Sequence, residues 1–574
     1  MKKVFFTARL LFIVLIIISS GTAFYKLPTT AFPEGKQDIT SCGSSSADIV
    51  SDDKGKFINV LPGWGKHKYA ISTKNDSTQF YFNQGLNFYY GYHFREALAS
   101  FKEAARLDPA CAMTYWGQAL AMGPYYNDYY YKMKKGVLDV IKSMNNLMAT
   151  APEKEKSLML AMKERYSTDT TNADRKQLDE NYADAMSLLA KQETSDDDFK
   201  ALYIDAVMLE HKWDFWNNDG TPKRWTPELV KLCEDILAKT PDHPAALHYY
   251  IHLTEASKHP ELALHSADVL KGIMPGVSHM VHMATHMYQR NGFFTKAVDV
   301  NEEANMANNY VDSLAPNLGI GRNKSIHIFA VQSTCAMTAG MFSKGMPLYL
   351  RVRQKVIDMN SPMEKEAYLQ YLYMIPVIAW VRLGKWKEIL ESPAIDARWK
   401  YASVLDDFAK GMASVRTNNL DSAKRYLDHI EQNLADSLLA IRIMPFNKPV
   451  HCAKIAAGIL KGELLFAAGK TKEAIGFLKQ AVEQEDQLTY REPQDWLIPA
   501  RQYLGAVLFK LNRAAEAEEV YKQDLIANPG NGWSLLGMYN SLLAQNKASE
   551  AEAFKAKYIN AFSAADVMPV ASVF

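Results

Sequence analysis

Histidines recur in this chain in step with a repeat. His248 and His252 are followed 34 residues later by His282 and His286, and the same shift carries Pro241 onto Pro275 and Ala263 onto Ala297. Within each pair the i, i+4 spacing puts both imidazoles on one face of a helix. Imidazoles one turn apart on neighbouring helices are the donors a first-row transition metal takes. The same rings could instead hydrogen-bond a carboxylate-bearing ligand, or pack without chemistry. A second offset, of 48 residues, carries Gly292-Phe293-Phe294-Thr295-Lys296-Ala297 onto Gly340-Met341-Phe342-Ser343-Lys344-Gly345, and with it His279 onto His327. The extra 14 residues over 34 fall between Ala307 and Lys324, around Pro316, Gly319 and Gly321.

The elements that must position these rings are helix pairs. Tyr81, Gly85, Phe88, Ala97, Phe101, Ala104 and Pro109 follow the tetratricopeptide spacing, an aromatic and a small residue on helix A, then Ala-x3-Phe and Pro on helix B. Small residues belong where helices A and B cross closely. Gly462, Ala474, Leu478 and Ala481 repeat the pattern, as do Gly505, Ala517, Tyr521 and Pro529, with Ala551 following Ala517 by 34. Helical periodicity starts near Gln79, and strand-like alternation is absent. The fold expected is an all-α superhelix of such repeats. Residues 128–211 fit the consensus poorly. The loop Trp213 to Gly220 interrupts before Pro227, its aromatics serving to anchor it or to plug a groove.

Counting Ala263 and Ala297 as position 20 places His248 and His282 at position 5, and His252 and His286 at position 9. His279 and His327 fall at position 2, Glu255 at 12 and Arg290 at 13. In tetratricopeptide arrays these positions of helix A line the concave groove. The metal-ligand candidates are His248, His252, His279, His282 and His286. Glu255 is a candidate ligand or general base, hence the candidate catalytic residue. Arg290 and His327 are candidate ligand-binding residues. A transition metal (Zn, Fe, Cu or Ni) suits the imidazoles. Six histidines exceed one tetrahedral site, so two metals and one metal with outer histidines both remain open. His243, His259 and His265 fall at turns or on helix B and are set apart from the cluster. No Gly-rich phosphate loop, nucleophile elbow or His-Glu-x-x-His motif occurs. The Tyr490 to Trp496 segment reads as a rigid helix start or as a border of the groove.

Composition limits the partners. With 65 Lys+Arg against 64 Asp+Glu, the net charge is +1 and no basic stripe offers a nucleic-acid surface. The five cysteines are widely spaced and do not describe a disulfide framework; they read as buried apolar residues. Lys2, Lys3 and Arg9 precede the uncharged run Leu10 to Ile18 and the small residues Gly21-Thr22-Ala23, as in an export signal cleaved after Ala23, an uncleaved anchor being the alternative. No other stretch is apolar enough to span a membrane. Residues 24–77 form a disordered or extended lead-in, 78–240 an N-terminal repeat and irregular helical region, 241–350 the histidine-rich units, and 351–574 the C-terminal units.

The chain resembles a family of bacterial exported tetratricopeptide proteins, largely uncharacterised. The resemblance rests on Phe82 to Asn87, Phe101 to Pro109, Cys111 to Gly117, His248-Tyr249-Tyr250-Ile251-His252, His279 to His286, Glu492 to Trp496, and Asn531-Gly532-Trp533. It spans roughly residues 80 to 560. The family has His-Asn before the isoleucine-histidine step, where this chain has Lys324-Ser325, so one polar groove contact is lost. The resemblance implies fold and periplasmic or secreted location, without a settled activity. The expected function is binding of a peptide, protein or small ligand in the concave groove, with a histidine-lined metal site. A metal-dependent enzyme and an assembly scaffold without chemistry are the alternatives.

Overall fold

A computed structural model describes residues 49–574 apart from 129–130, 169–173, 319–320 and 442–446. The export segment 1–23, the lead-in to residue 48 with Cys42, and Gly319 lie outside the described residues, as do the side chains of Lys324 and Ser325. The described chain is an all-α tetratricopeptide-type solenoid of 24 α-helices without a β-strand. Successive helices pair across short turns.

The small residues explain the pairing. A Cβ at Gly85 or Gly117 would lie less than 3.0 Å from the Phe101 ring, so one aromatic of helix B fills the space left by two glycines on flanking A helices. The arrangement recurs near the C-terminus, where Tyr521 sits between Gly505 and Gly537 at the same closeness. The 14 additional residues between the second and third histidine units lengthen a B helix to Phe294–Leu314, and Pro316–Leu318 then turns the chain into the helix Gly321–Thr338.

Residues 49–75 correct the expectation of disorder in favour of its extended alternative. They run as a strap whose backbone donors meet side chains of the first repeat. Leu61 N–H donates to Gln84 Oε1 at 3.1 Å, Tyr69 N–H to Asn83 Oδ1 at 3.1 Å, and Ile71 N–H to Gln79 Oε1 at 2.9 Å. Low apolar content does not prevent order when a neighbouring helix supplies the acceptors the backbone needs. Cys111, Cys233, Cys335 and Cys452 are buried and free, as their spacing implied.

The array also curls onto itself. Gly292 packs against Gly530 closely enough that neither could carry a Cβ, and both have positive φ (81° and 67°). Trp533 Nε1 donates to Thr338 O at 3.0 Å. The central histidine units are thereby held between the N-terminal repeat and the C-terminal turns.

Candidate metal centre

Three consecutive A helices carry the six histidines. The helix Pro244–Thr254 bears His248 and His252, Ser278–Arg290 bears His279, His282 and His286, and Gly321–Thr338 bears His327. Pro244 stands in the first turn of the first of these, and His243 Nδ1 accepts from Ala246 N–H at 3.3 Å to cap it. The rings converge, but not on an open groove. His248 and His282 are 0 % exposed, and His252 and His286 are 2 % exposed, while His279 and His327 are half-buried.

The convergence has internal order. His248, His252 and His279 each offer one ring nitrogen, all within 4.8 Å of one another, and His282, His286 and His327 do the same. Each triad takes positions 5 and 9 from one A helix and position 2 from the next, so the repeat translates one triad onto the other. The triads adjoin: ring centroids are 6.2 Å apart for His252–His286 and for His279–His282.

Partners behind the rings fix their tautomers. His248 Nδ1 lies 2.7 Å from Tyr90 O, which can only accept, so Nδ1 carries the proton. His282 Nδ1 lies 2.6 Å from Asn301 Oδ1, and Asn301 Nδ2 is itself turned to Ala297 O at 3.0 Å. Glu255 serves two rings at once, with Oε1 at 3.0 Å from His252 Nδ1 and Oε2 at 2.7 Å from His286 Nδ1. Four Nε2 atoms are therefore left for the interior. His252 Nε2 is buried without a hydrogen-bond partner. His282 Nε2 and His286 Nε2 face each other at 3.1 Å, a separation that two bare lone pairs reach only with a cation, a proton or a metal ion, between them.

Burial pushes His248, His279 and His327 well below the ordinary imidazole range, lowers His252, and brings His282 down to about 3. Five of the rings are thus neutral, the form that ligates a metal. Burial also opposes charge on His286, but the Glu255 carboxylate outweighs it and raises that imidazole. Burial would raise Glu255 in turn, yet His286 and His252 hold it down at about 2. Glu255 is 0 % exposed with each oxygen turned to an imidazole, which makes it an orienting group rather than a free base.

Aromatics seal the cluster. The Tyr92 ring stacks over His279 at 5.4 Å and His252 at 6.0 Å and meets His248 edge-on at 4.5 Å. Its backbone has φ 54°, and its buried hydroxyl has no hydrogen-bond partner. The loop after Glu210 does more than anchor itself: Trp213 stacks on Tyr126 at 5.3 Å and presents its edge to His252 at 5.8 Å. A narrow cleft of about 10 Å³ reaches the rings beside Tyr92, His93 and Ser278, and opens on His279, His282 and His327.

Arg290 occupies a different place from the one its groove position suggested. Its guanidinium donates to the backbone carbonyls of Glu255 (3.0 Å), Ser257 (2.9 Å) and Ala527 (3.1 Å). It ties the end of the first histidine helix to the C-terminal repeat and thereby holds Glu255. The Tyr490 to Trp496 segment borders the site through Glu492, which contacts Gln289 and Tyr490. Burial pushes Glu492 up to about 7 against the opposing charge of His286. Periodicity gave no signal for Tyr92, Asn301 or Glu492, because each reaches the cluster from a turn, a B helix or a distant loop.

A third group, His67, Asp198 and His243, also brings ligating atoms within 4.8 Å. Here the carboxylate is satisfied by protein: Asp198 Oδ1 lies 2.9 Å from His67 Nε2 and accepts from Tyr90 O–H at 2.7 Å. This group joins the strap to the first histidine helix and makes His243 a structural neighbour of the site.

No protein-family model matches the chain, and no curated protein matches it. Among solved structures, the chain is similar to a human IFIT1 dimer with m7Gppp-AAAA, at 12 % identity and TM-score 0.32, over 85 % of this chain and 95 % of that one. Yeast Tom70 is similar at 11 % identity and TM-score 0.28, over 84 % and 90 %. Cut9 in the APC/C hetero-tetramer Cut9–Hcn1 is similar at 12 % identity and TM-score 0.26, over 85 % and 88 %. These superpositions are loose, and the architecture stated above stands on the helix pairing of the chain itself. Among the described residues no helix is long and apolar enough to cross a membrane.

Proposed function

We propose that this chain is an exported helical-repeat protein that binds a transition metal ion through the histidines of its central units. The observation that carries the reading is the set of Nδ1 locks. Tyr90 O, Asn301 and the two oxygens of Glu255 each hold one imidazole so that Nε2 faces the interior. Acceptors that fix the tautomer and orientation of a ring are what a metal-ligating histidine requires, and the buried His252 Nε2 left without a partner is what a satisfied packing histidine would not show. Zn, Fe, Cu and Ni all suit imidazole. Export rests on the N-terminal segment, and mass spectrometry of the native protein should find residues 1–23 removed. An intact segment on a cytoplasmic protein would contradict it.

Elemental analysis of the purified protein tests the metal. A stoichiometric transition metal is expected, lost in the double variant His248→Ala, His282→Ala with helical content retained. Protein that contains no such metal and takes none up would put ligand binding without metal first. For that second reading the supporting observation lies elsewhere: a cleft of about 570 Å³ between the Asn291 to Phe293 turn and the C-terminal helices, where Phe293 (44 %) and Ile526 (57 %) are exposed. An apolar cleft of that size suits a peptide or a protein segment.

A further inference from the structure

The unit of the histidine cluster is a triad, and the chain has built it twice. His248, His252 and His279 are related to His282, His286 and His327 by the repeat itself, position by position, and each triad closes to within 4.8 Å independently of the other. One ion with outer histidines would need one triad to turn away and serve the other. Neither does: in each triad the Nδ1 atoms of the two histidines on one helix face protein acceptors on the outside, while inside His248 Nε2 meets His279 Nε2 and His282 Nε2 meets His286 Nε2, each at 3.1 Å.

We infer that the six histidines hold a pair of copper ions, one in each triad, which together take a ligand of one or two heavy atoms from the cleft beside Tyr92. This rests on the metal-binding reading above and adds number, identity and ligand to it. Copper is favoured by coordination and by charge. Each triad supplies three imidazole nitrogens and, among the described residues, no fourth protein ligand, which suits trigonal Cu(I), whereas a zinc ion there would need a water as its fourth ligand. Among the described residues, the only carboxylate paired with the six rings is Glu255. Two Cu(I) ions set two positive charges against it, and two divalent ions would set four in a buried site, where uncompensated charge is costly. The ligand is small because the cleft, with a volume of about 10 Å³, has room for little more than a water molecule between Tyr92, His93 and Ser278 and the rings of His279, His282 and His327. One histidine of the first triad and two of the second line it, so a ligand that enters there meets both ions.

The full-length protein, stripped with chelator and titrated anaerobically with Cu(I) alone, should bind two copper ions per chain after desalting. His279→Ala and His327→Ala should each leave one, with unchanged circular dichroism. After oxidation with ferricyanide and its removal, hydrogen peroxide should bind as peroxide and couple the two Cu(II) ions, so that the electron paramagnetic resonance signal integrates to far less than two spins per chain. One copper per chain, unaffected by His327→Ala, would overturn the pair while leaving the metal-binding reading intact. Two zinc ions taken up in preference to copper would overturn the identity. Two full, uncoupled spins unaltered by peroxide would overturn the shared ligand. No metal of any kind would remove the underlying reading as well.

Discussion

Asn301 holds His282 from behind: its Oδ1 lies 2.6 Å from His282 Nδ1, and both residues are 0 % exposed. The Asn301 side chain comes from the B helix that follows the second histidine helix, so the repeat's own partner helix sets the tautomer of its ligand. Asn301→Ala would free the ring to carry its proton on Nε2. We expect metal affinity, measured by chelator competition, to fall about 10–100-fold with the fold retained. Unchanged affinity would show that the tautomer of His282 does not matter.

Phe101 fills the gap between Gly85 and Gly117, two glycines that leave no room for a Cβ beside it. Phe101→Ala should destabilise the protein by about 3–5 kcal/mol, because the flanking helices cannot collapse into the space without losing their crossing. Chemical denaturation followed by circular dichroism measures this. A loss below about 1 kcal/mol would mean that the first repeat contributes little to cooperative stability.

Gln84 joins the strap to the first repeat. It accepts from Leu61 N–H and donates to Ser100 Oγ at 3.0 Å, with no exposure. Gln84→Ala strands the buried Leu61 donor, at a cost of about 1–3 kcal/mol. Limited proteolysis should then cut within residues 49–75 faster than in the parent protein. An equal cutting rate would mean that other contacts hold the strap.

Glu485 gives a pH dependence away from the histidines. Burial raises its carboxyl from 4.5 to about 8, although the Ala500 N–H, which donates to it at 2.7 Å, acts the other way. An acid whose folded pKa lies above its unfolded value binds its proton more tightly when folded. Its contribution to stability is therefore complete below the unfolded pKa and is lost as pH rises from about 4.5 through about 8. The melting temperature should fall over that window, and Glu485→Gln should flatten the fall. A parallel fall in the variant would assign the dependence to other groups.

The sequence by itself determined the architecture and the membership of the cluster. Two glycines 32 residues apart that face one aromatic, Gly85 and Gly117 at Phe101 and Gly505 and Gly537 at Tyr521, specify a helix crossing, because a side chain at those points cannot be accommodated. The 34-residue offset of the histidines, with its 48-residue variant, fixes which of them share a face, since helical register is a local property of the backbone. Tertiary structure alone decided what stands behind and above those faces. Tyr92 arrives from a turn more than 150 residues before His248. Glu492 comes from a loop that reaches the site only because the array curls and sets Gly292 on Gly530. Arg290, at a groove position by register, spends its donors on the Glu255, Ser257 and Ala527 carbonyls for the same reason. Periodicity says which way a side chain leaves its helix. What it meets there depends on how the stacked helices curve, and that follows from packing summed over the whole array.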